Sequence, residues 1–135
     1  MLDSSGDMTV RAFTAGGALP VEGAVVRIMG AMEENRLVSY SLLTNRDGLT
    51  SKVALPAPSA ALSLSPDPKE LPYSLYDVEI TAPGYYTKRI NSLSVFPGIS
   101  SVQLINMIPG SGYIVEDYPG INNNIIISDN TYRKE

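Results

Sequence analysis

Residues 76–86 run YDVEITAPGYY, alternating apolar and polar side chains before a Pro-Gly turn. Successive side chains of a strand point to opposite faces, so Tyr76, Val78 and Ile80 share one face and Asp77, Glu79 and Thr81 the other. A strand with one apolar and one polar face belongs to an antiparallel sheet that covers a core on one side and meets water on the other. Pro83-Gly84 closes it with a turn. Residues 87–95 then carry the chain back, with Ile90, Leu93 and Val95 as the apolar positions. The step from Ile90 to Leu93 breaks the period of two, which predicts a β-bulge at Asn91-Ser92.

The same kind of pattern extends outward. Toward the N-terminus, residues 8–14 alternate with Met8, Val10 and Ala12 on one face, and residues 25–29 (VVRIM) are rich in β-branched side chains. Residues 37–44 and 49–55 read as two more strands across Asn45-Arg46-Asp47-Gly48, whose Asp-Gly pair suits a tight reversal. Toward the C-terminus, residues 100–107 form a last core strand in which Val102 and Leu104 alternate against Ile105 and Met107. Seven short strands with turn signals at close intervals, and no amphipathic helical period, predict an all-β sandwich over residues 8–109.

Three segments stand outside this pattern. Residues 1–7 are small and polar and read as a disordered lead-in. Residues 56–72 hold Pro56, Pro58, Pro66, Pro68 and Pro72, five of the ten prolines, and read as a long loop, within which residues 60–65 suit either a brief helical turn or an edge strand. Loops beyond ~12–15 residues are uncommon inside compact domains and often carry function. Residues 110–135 form a tail or linker. Its run Ile125-Ile126-Ile127 would be an aggregation hazard if exposed, so it is expected to pair with its own sheet edge, another subunit or a further domain.

Composition narrows the chemistry. At 135 residues, 44% hydrophobic and 18% charged, the chain is globular in character and long enough to bury one core. Its net charge is −4 and its ten basic residues are scattered, so no cationic stripe favours nucleic acid. No apolar run approaches the ~20 residues that span a bilayer, and the N-terminus lacks the order of a signal peptide. Neither membrane insertion nor self-export is expected, and the expected site of synthesis is the cytoplasm. The sequence contains no histidine and no cysteine. That removes the commonest general base, the commonest transition-metal ligand, thiol nucleophiles and disulfides together.

The remaining constellations have plain structural readings. Asn45, Asp47 and Gly48 offer oxygen ligands of the kind calcium prefers, yet the D-x-[DN]-x-[DN]-G spacing and its closing Glu are missing, so a hairpin turn stands ahead of a metal loop. Asp77 and Glu79 lie ~7 Å apart on one strand face, a spacing compatible with paired carboxylates, but alternating acids are far more often a solvated face. The same holds for Glu116-Asp117. Serines without histidine cannot form a Ser-His-Asp triad, and neither S-x-x-K nor G-x-S-x-G occurs. Tyr73, Tyr76, Tyr85 and Tyr86 could form an aromatic platform for sugar rings or peptides. Tyr76 and one of the adjacent pair Tyr85-Tyr86, which must point to opposite faces, read as core, which leaves Tyr73 and whichever of Tyr85 or Tyr86 faces outward as the candidates. No cofactor and no metal site is implied.

The order of the motifs carries a resemblance. Leu19-Pro20-Val21-Glu22-Gly23-Ala24-Val25-Val26, Thr44-Asn45-Arg46-Asp47-Gly48-Leu49, Tyr76-Asp77-Val78-Glu79-Ile80 with Ala82-Pro83-Gly84-Tyr85-Tyr86, and Val95-Phe96-Pro97-Gly98 resemble the carboxypeptidase regulatory-like domains of the transthyretin-like superfamily. The likeness implies a seven-stranded, Ig-like or transthyretin-like β-sandwich, and its motifs are structural ones. PYSLYDVEITAPGYYTKRI and VFPGISSVQLINMIP further resemble the accessory domain of clostridial spore cortex-lytic and peptidoglycan-binding proteins. That likeness implies a non-catalytic module of a cell-wall protein, associated with the spore or cell envelope. Its partner would be a protein or a wall glycan. The Pro-rich segment and the tail depart from the pattern. A second expectation is a structural or adhesive subunit that forms homo-oligomers by strand addition through the C-terminal tail. A carboxylate-based hydrolase ranks below both. The candidate interaction surface comprises Tyr73, Tyr85, Tyr86, Pro56, Pro58, Pro66, Pro68, Ile125, Ile126 and Ile127.

Overall fold

A computed structural model describes residue 2, residues 4–59 and 72–110, and the backbone of 114–117 and 125–127. Pro66, Pro68, residues 60–65, and the side chains of Glu116, Asp117 and Ile125 to Ile127 lie outside the described residues. The strands are β1 (Ser4–Thr14), β2 (Leu19–Pro20), β3 (Val25–Gly30), β4 (Ser39–Leu43), β5 (Val53–Ala57), β6 (Ser74–Thr81), β7 (Thr87–Val95), β8 (Ser100–Asn106), β9 (Ile114–Asp117) and β10 (Ile125–Ile127). Two sheets pack face to face. One has β1 at its centre, with β5 and β2 antiparallel along one side and β8 parallel along the other. The second runs β10-β9-β7-β6-β3-β4. Among the described residues, the helical elements are two 3-10 turns of three residues each.

Alternation places the core where the sequence predicts it. Met8, Val10 and Ala12 from β1 meet Tyr76, Val78 and Ile80 from β6 and Ile90, Leu93 and Val95 from β7, all buried. The opposite face of the second sheet carries Arg27, Glu79 and Arg89 side by side on β3, β6 and β7. Tyr76 crosses between the sheets: its hydroxyl donates to the Pro56 carbonyl at 2.6 Å. Burial pushes its phenol above the ordinary value, the Asn35 side chain pulling partly back and Tyr40 adding to the rise.

Two buried polar side chains fasten connections. Thr44 Oγ1 accepts from the Ala24 amide at 2.8 Å and donates to the Val21 carbonyl at 2.7 Å, pinning the Val21–Ala24 approach to β3. Asn35 accepts from the Met32 amide at 2.8 Å and donates to the Leu75 carbonyl at 3.0 Å, holding the β3–β4 connection against β6.

The bulge lies where the broken period places it. Tyr76 pairs with Leu93 but Val78 with Ile90, so Asn91 and Ser92 together face Asp77. Ser92 takes φ 61°, and its amide donates to Asp77 Oδ1 at 2.9 Å.

Several expectations are corrected. Residues 4–7, read as disordered lead-in, belong to β1 and pair with β5. Their polarity misleads because the backbone makes the contacts: the Asp7 amide donates to Ile99 O and the Gly98 amide to Ser5 O, each at 2.9 Å. Gly6 permits this approach, since a Cβ there would collide with the Phe96 carbonyl. The seven expected strands become eight through residue 106, because the two-residue β2 pairs with the end of β1. Pro56 lies inside β5 rather than in a loop, at a sheet edge where a missing N–H is tolerated. Pro58 is buried. The isoleucine run, by contrast, meets one of its expected outcomes and pairs with its own sheet: β10 lies antiparallel on β9, and β9 parallel on β7.

Candidate interaction face

The Asn45-Arg46-Asp47-Gly48 segment is a turn whose side-chain oxygen is consumed by backbone. Asn45 Oδ1 accepts from the Asp47 amide at 2.8 Å and the Leu49 amide at 3.0 Å. The turn is also tied to β1, where the Ala12 amide donates to Gly48 O at 2.8 Å. This seats Leu49 beside Arg11 in an isolated bridge. On the other side of Arg11 stands Leu104 of β8.

The outer face of the β1-centred sheet therefore carries the row Leu49, Arg11, Leu104 across three adjacent chain segments. Val102 stands one pleat away, beside Thr9. Leu104 is 53% exposed and Val102 59%, while their inward-facing neighbours Ile105 and Met107 are buried. With Gly17, Ala18, Pro20 and Asp47, these residues line a shallow open depression of about 540 Å³. Among the described residues Arg11 and Asp47 make no ion pair within 4 Å, so the depression offers an apolar floor with a guanidinium in its middle and a carboxylate at its rim. Such a surface can seat apolar side chains and hold a charged group beside them.

The residues singled out from sequence do not gather here. Tyr73 leans on Phe96, ring centroids 5.2 Å apart and planes at 53°. Tyr85 packs partly against the core. Tyr86 is half-buried, its amide donating to Ile108 O at 2.8 Å and its ring lying against Gly110. Tyr73 sits before β6 and the other two after it, about 25 Å apart along an eight-residue strand, so they form no common platform. Pro56 and Pro58 belong to β5 and its buried continuation.

The paired carboxylates are partnered structurally: Asp77 caps the bulge, and Glu79 lies 3.7 Å from both Arg27 and Arg89. Among the described residues no group of three or more Asp or Glu side chains is placed to hold a metal ion. No helix among them is long and apolar enough to cross a membrane. Arg11, Leu49, Val102 and Leu104 were missed as a group. The sequence signal available was the double apolar set of β8, in which Val102 and Leu104 compete with Ile105 and Met107 for the core.

No family model matches the chain, and no curated protein matches it. Several solved structures share its fold, among them one from Bacillus anthracis and one from Rhodococcus opacus 1CP. The Bacillus anthracis TIE protein aligns at 16% identity and a TM-score of 0.51 over 91% of this chain and 20% of its own. The 3-chlorocatechol 1,2-dioxygenase of Rhodococcus opacus 1CP aligns at 11% identity and a TM-score of 0.50 over 80% of this chain and 62% of its own. The chain thus spans a fifth of the first and about three fifths of the second, and likeness at these identities concerns the fold alone.

Proposed function

We propose that this chain is a non-catalytic β-sandwich module that holds a partner for a cell-wall associated protein of the spore cortex or peptidoglycan. The observation that carries the reading is the row Leu49, Arg11, Leu104, half-buried at Leu49 and exposed at Arg11 and Leu104: a sheet face that leaves apolar area in water beside a guanidinium with no ion-pair partner among the described residues. The absence of histidine and cysteine from the sequence speaks for scaffolding over chemistry. The wall association rests on the motif resemblance, as does the placement in the transthyretin-like superfamily. The chain should co-sediment with purified peptidoglycan or spore cortex above a charge-matched control protein. No enrichment sinks the wall-associated role.

A second reading, self-assembly by strand addition, is favoured by the position of β10, which among the described residues is the end strand of the larger sheet and pairs with β9 alone. Solution mass measured with and without residues 111–135 decides it: a monomer in both forms counts against assembly through the tail.

A further inference from the structure

Sheet edges are normally blunted by charge, proline or a bulge, because a row of unpaired N–H and C=O groups is a template for another strand. The edge strand β5 carries Pro56. β8, with the sequence SSVQLIN, carries no charge, proline or glycine, and among the described residues β1 is the one strand it pairs with. The direction of its backbone groups follows from its two ends. The Asp7 amide donates to Ile99 O at 2.9 Å and the Met107 amide to Phe13 O at 2.7 Å, so odd-numbered residues face β1 and even-numbered ones face the open edge. Lys88 Nζ covers Asn106 O at 3.2 Å, and the Gln103 side chain lies on Leu104 O at 3.2 Å. The backbone of Val102 and the Leu104 amide have no protein partner among the described residues.

We propose that this edge takes an extended segment of a partner polypeptide as an added strand, with outward side chains that are apolar on either side of a carboxylate. The inference rests on reading the chain as an interaction module and names the partner of that face. The carboxylate follows from charge complementarity. An added strand continues the row Leu49, Arg11, Leu104 by one position, about 10 Å from Arg11 across two strand spacings, a gap that extended Arg and Glu side chains bridge above Leu104. The guanidinium would gain a charge-assisted partner there, and no charge on β8 opposes it. Asp47 lies beyond Leu49, on the side of Arg11 away from the edge. Val102 and Leu104 supply the apolar contact.

The test titrates the full chain with the peptide acetyl-Val-Ser-Glu-Ser-Val-amide and with its Lys-for-Glu analogue, followed by amide exchange and backbone resonance shifts. The acidic peptide should protect the Val102 and Leu104 amides and bind about tenfold more tightly than the analogue, the worth of one charge-assisted bond. Arg11→Glu should invert that preference. Val102→Pro removes an outward-facing N–H and the valine side chain without taking a bond from β1, so it should abolish binding of both peptides with the fold intact; if it does not fold, Arg11→Glu, which leaves the backbone untouched, carries the test. Equal affinity for the two peptides, or protection elsewhere than at β8, overturns the proposal. So does a free chain that doubles its mass through this edge, which assigns β8 to a second copy. Peptidoglycan co-sedimentation is scored separately, so a wall-binding chain that ignores both peptides refutes this inference and leaves the proposed function standing.

Discussion

Replacing Gly48 with alanine tests the turn that seats Leu49 beside Arg11. Gly48 has φ 80°, a conformation that costs an L-residue about 1 kcal/mol. A Cβ at this position would also collide with the Ala12 carbonyl and come within 3.3 Å of Pro20 Cβ and Val21 N, all backbone or ring atoms with little freedom to yield. The Ala12 amide already bonds Gly48 O, so relief of the clash must stretch a ladder contact. Overpacking of this kind costs about 1–3 kcal/mol, which brings the total to about 2–4 kcal/mol.

Gly84 supplies the control: its φ is 84°, and a Cβ there meets nothing within 4 Å. Gly84→Ala should therefore lose only the conformational part, about 1 kcal/mol. Urea unfolding followed by far-UV circular dichroism and tyrosine fluorescence reads both variants, since the chain has no tryptophan. The gap of about 1–3 kcal/mol corresponds to roughly 4 °C or more in melting temperature for a domain of this size. Equal losses in the two variants, within about 0.5 kcal/mol, would refute the argument that the turn is wedged against β1.

Tyr76→Phe removes the hydroxyl that bridges the sheets and should cost about 1–2 kcal/mol by chemical denaturation at neutral pH. The raised phenol value gives the wild type a pH signature: its contribution is intact below about pH 10 and is lost as pH rises through the folded value, because the unfolded chain ionises first. The variant should show a shallower stability decline above pH 10, and parallel curves refute the assignment. Asp77→Ala should destabilise by about 1 kcal/mol by uncapping Ser92, whereas Ser92→Gly should stabilise by several tenths of a kcal/mol, since φ 61° favours glycine; thermal melts that reverse these signs contradict the bulge geometry. Ser74→Ala should be neutral or raise stability by up to about 1 kcal/mol, because Ser74 Oγ is buried with no hydrogen-bond partner among the described residues; a loss above that size in urea unfolding refutes it.

Features legible in the sequence share one property: short range. Tyr76, Val78 and Ile80 announce their face because alternate side chains must share a side, and the three-residue step from Ile90 to Leu93 announces the bulge because a bulge is a local insertion. Asn45 and Gly48 announce a turn through their own side-chain and backbone chemistry. Residues 4–7 stayed hidden because their strand is held by pairing with β5 and by a backbone bond to Ile99, partners that no local pattern reveals. Pro56 misled in the other direction, since a proline is excluded from a strand only where its missing N–H would be needed.

The amino-acid sequence alone determined that the chain is an all-β sandwich, which faces of its strands are apolar, and that histidine and cysteine chemistry is closed to it. Tertiary structure alone decided which of β8's two apolar sets is buried. Parallel pairing sets Leu104 beside Arg11, 93 positions away in the chain, and turns Val102 outward with it. Both sets satisfy the same period of two, so only the register against β1 could choose between them, and that choice creates the exposed row and the open edge beside it.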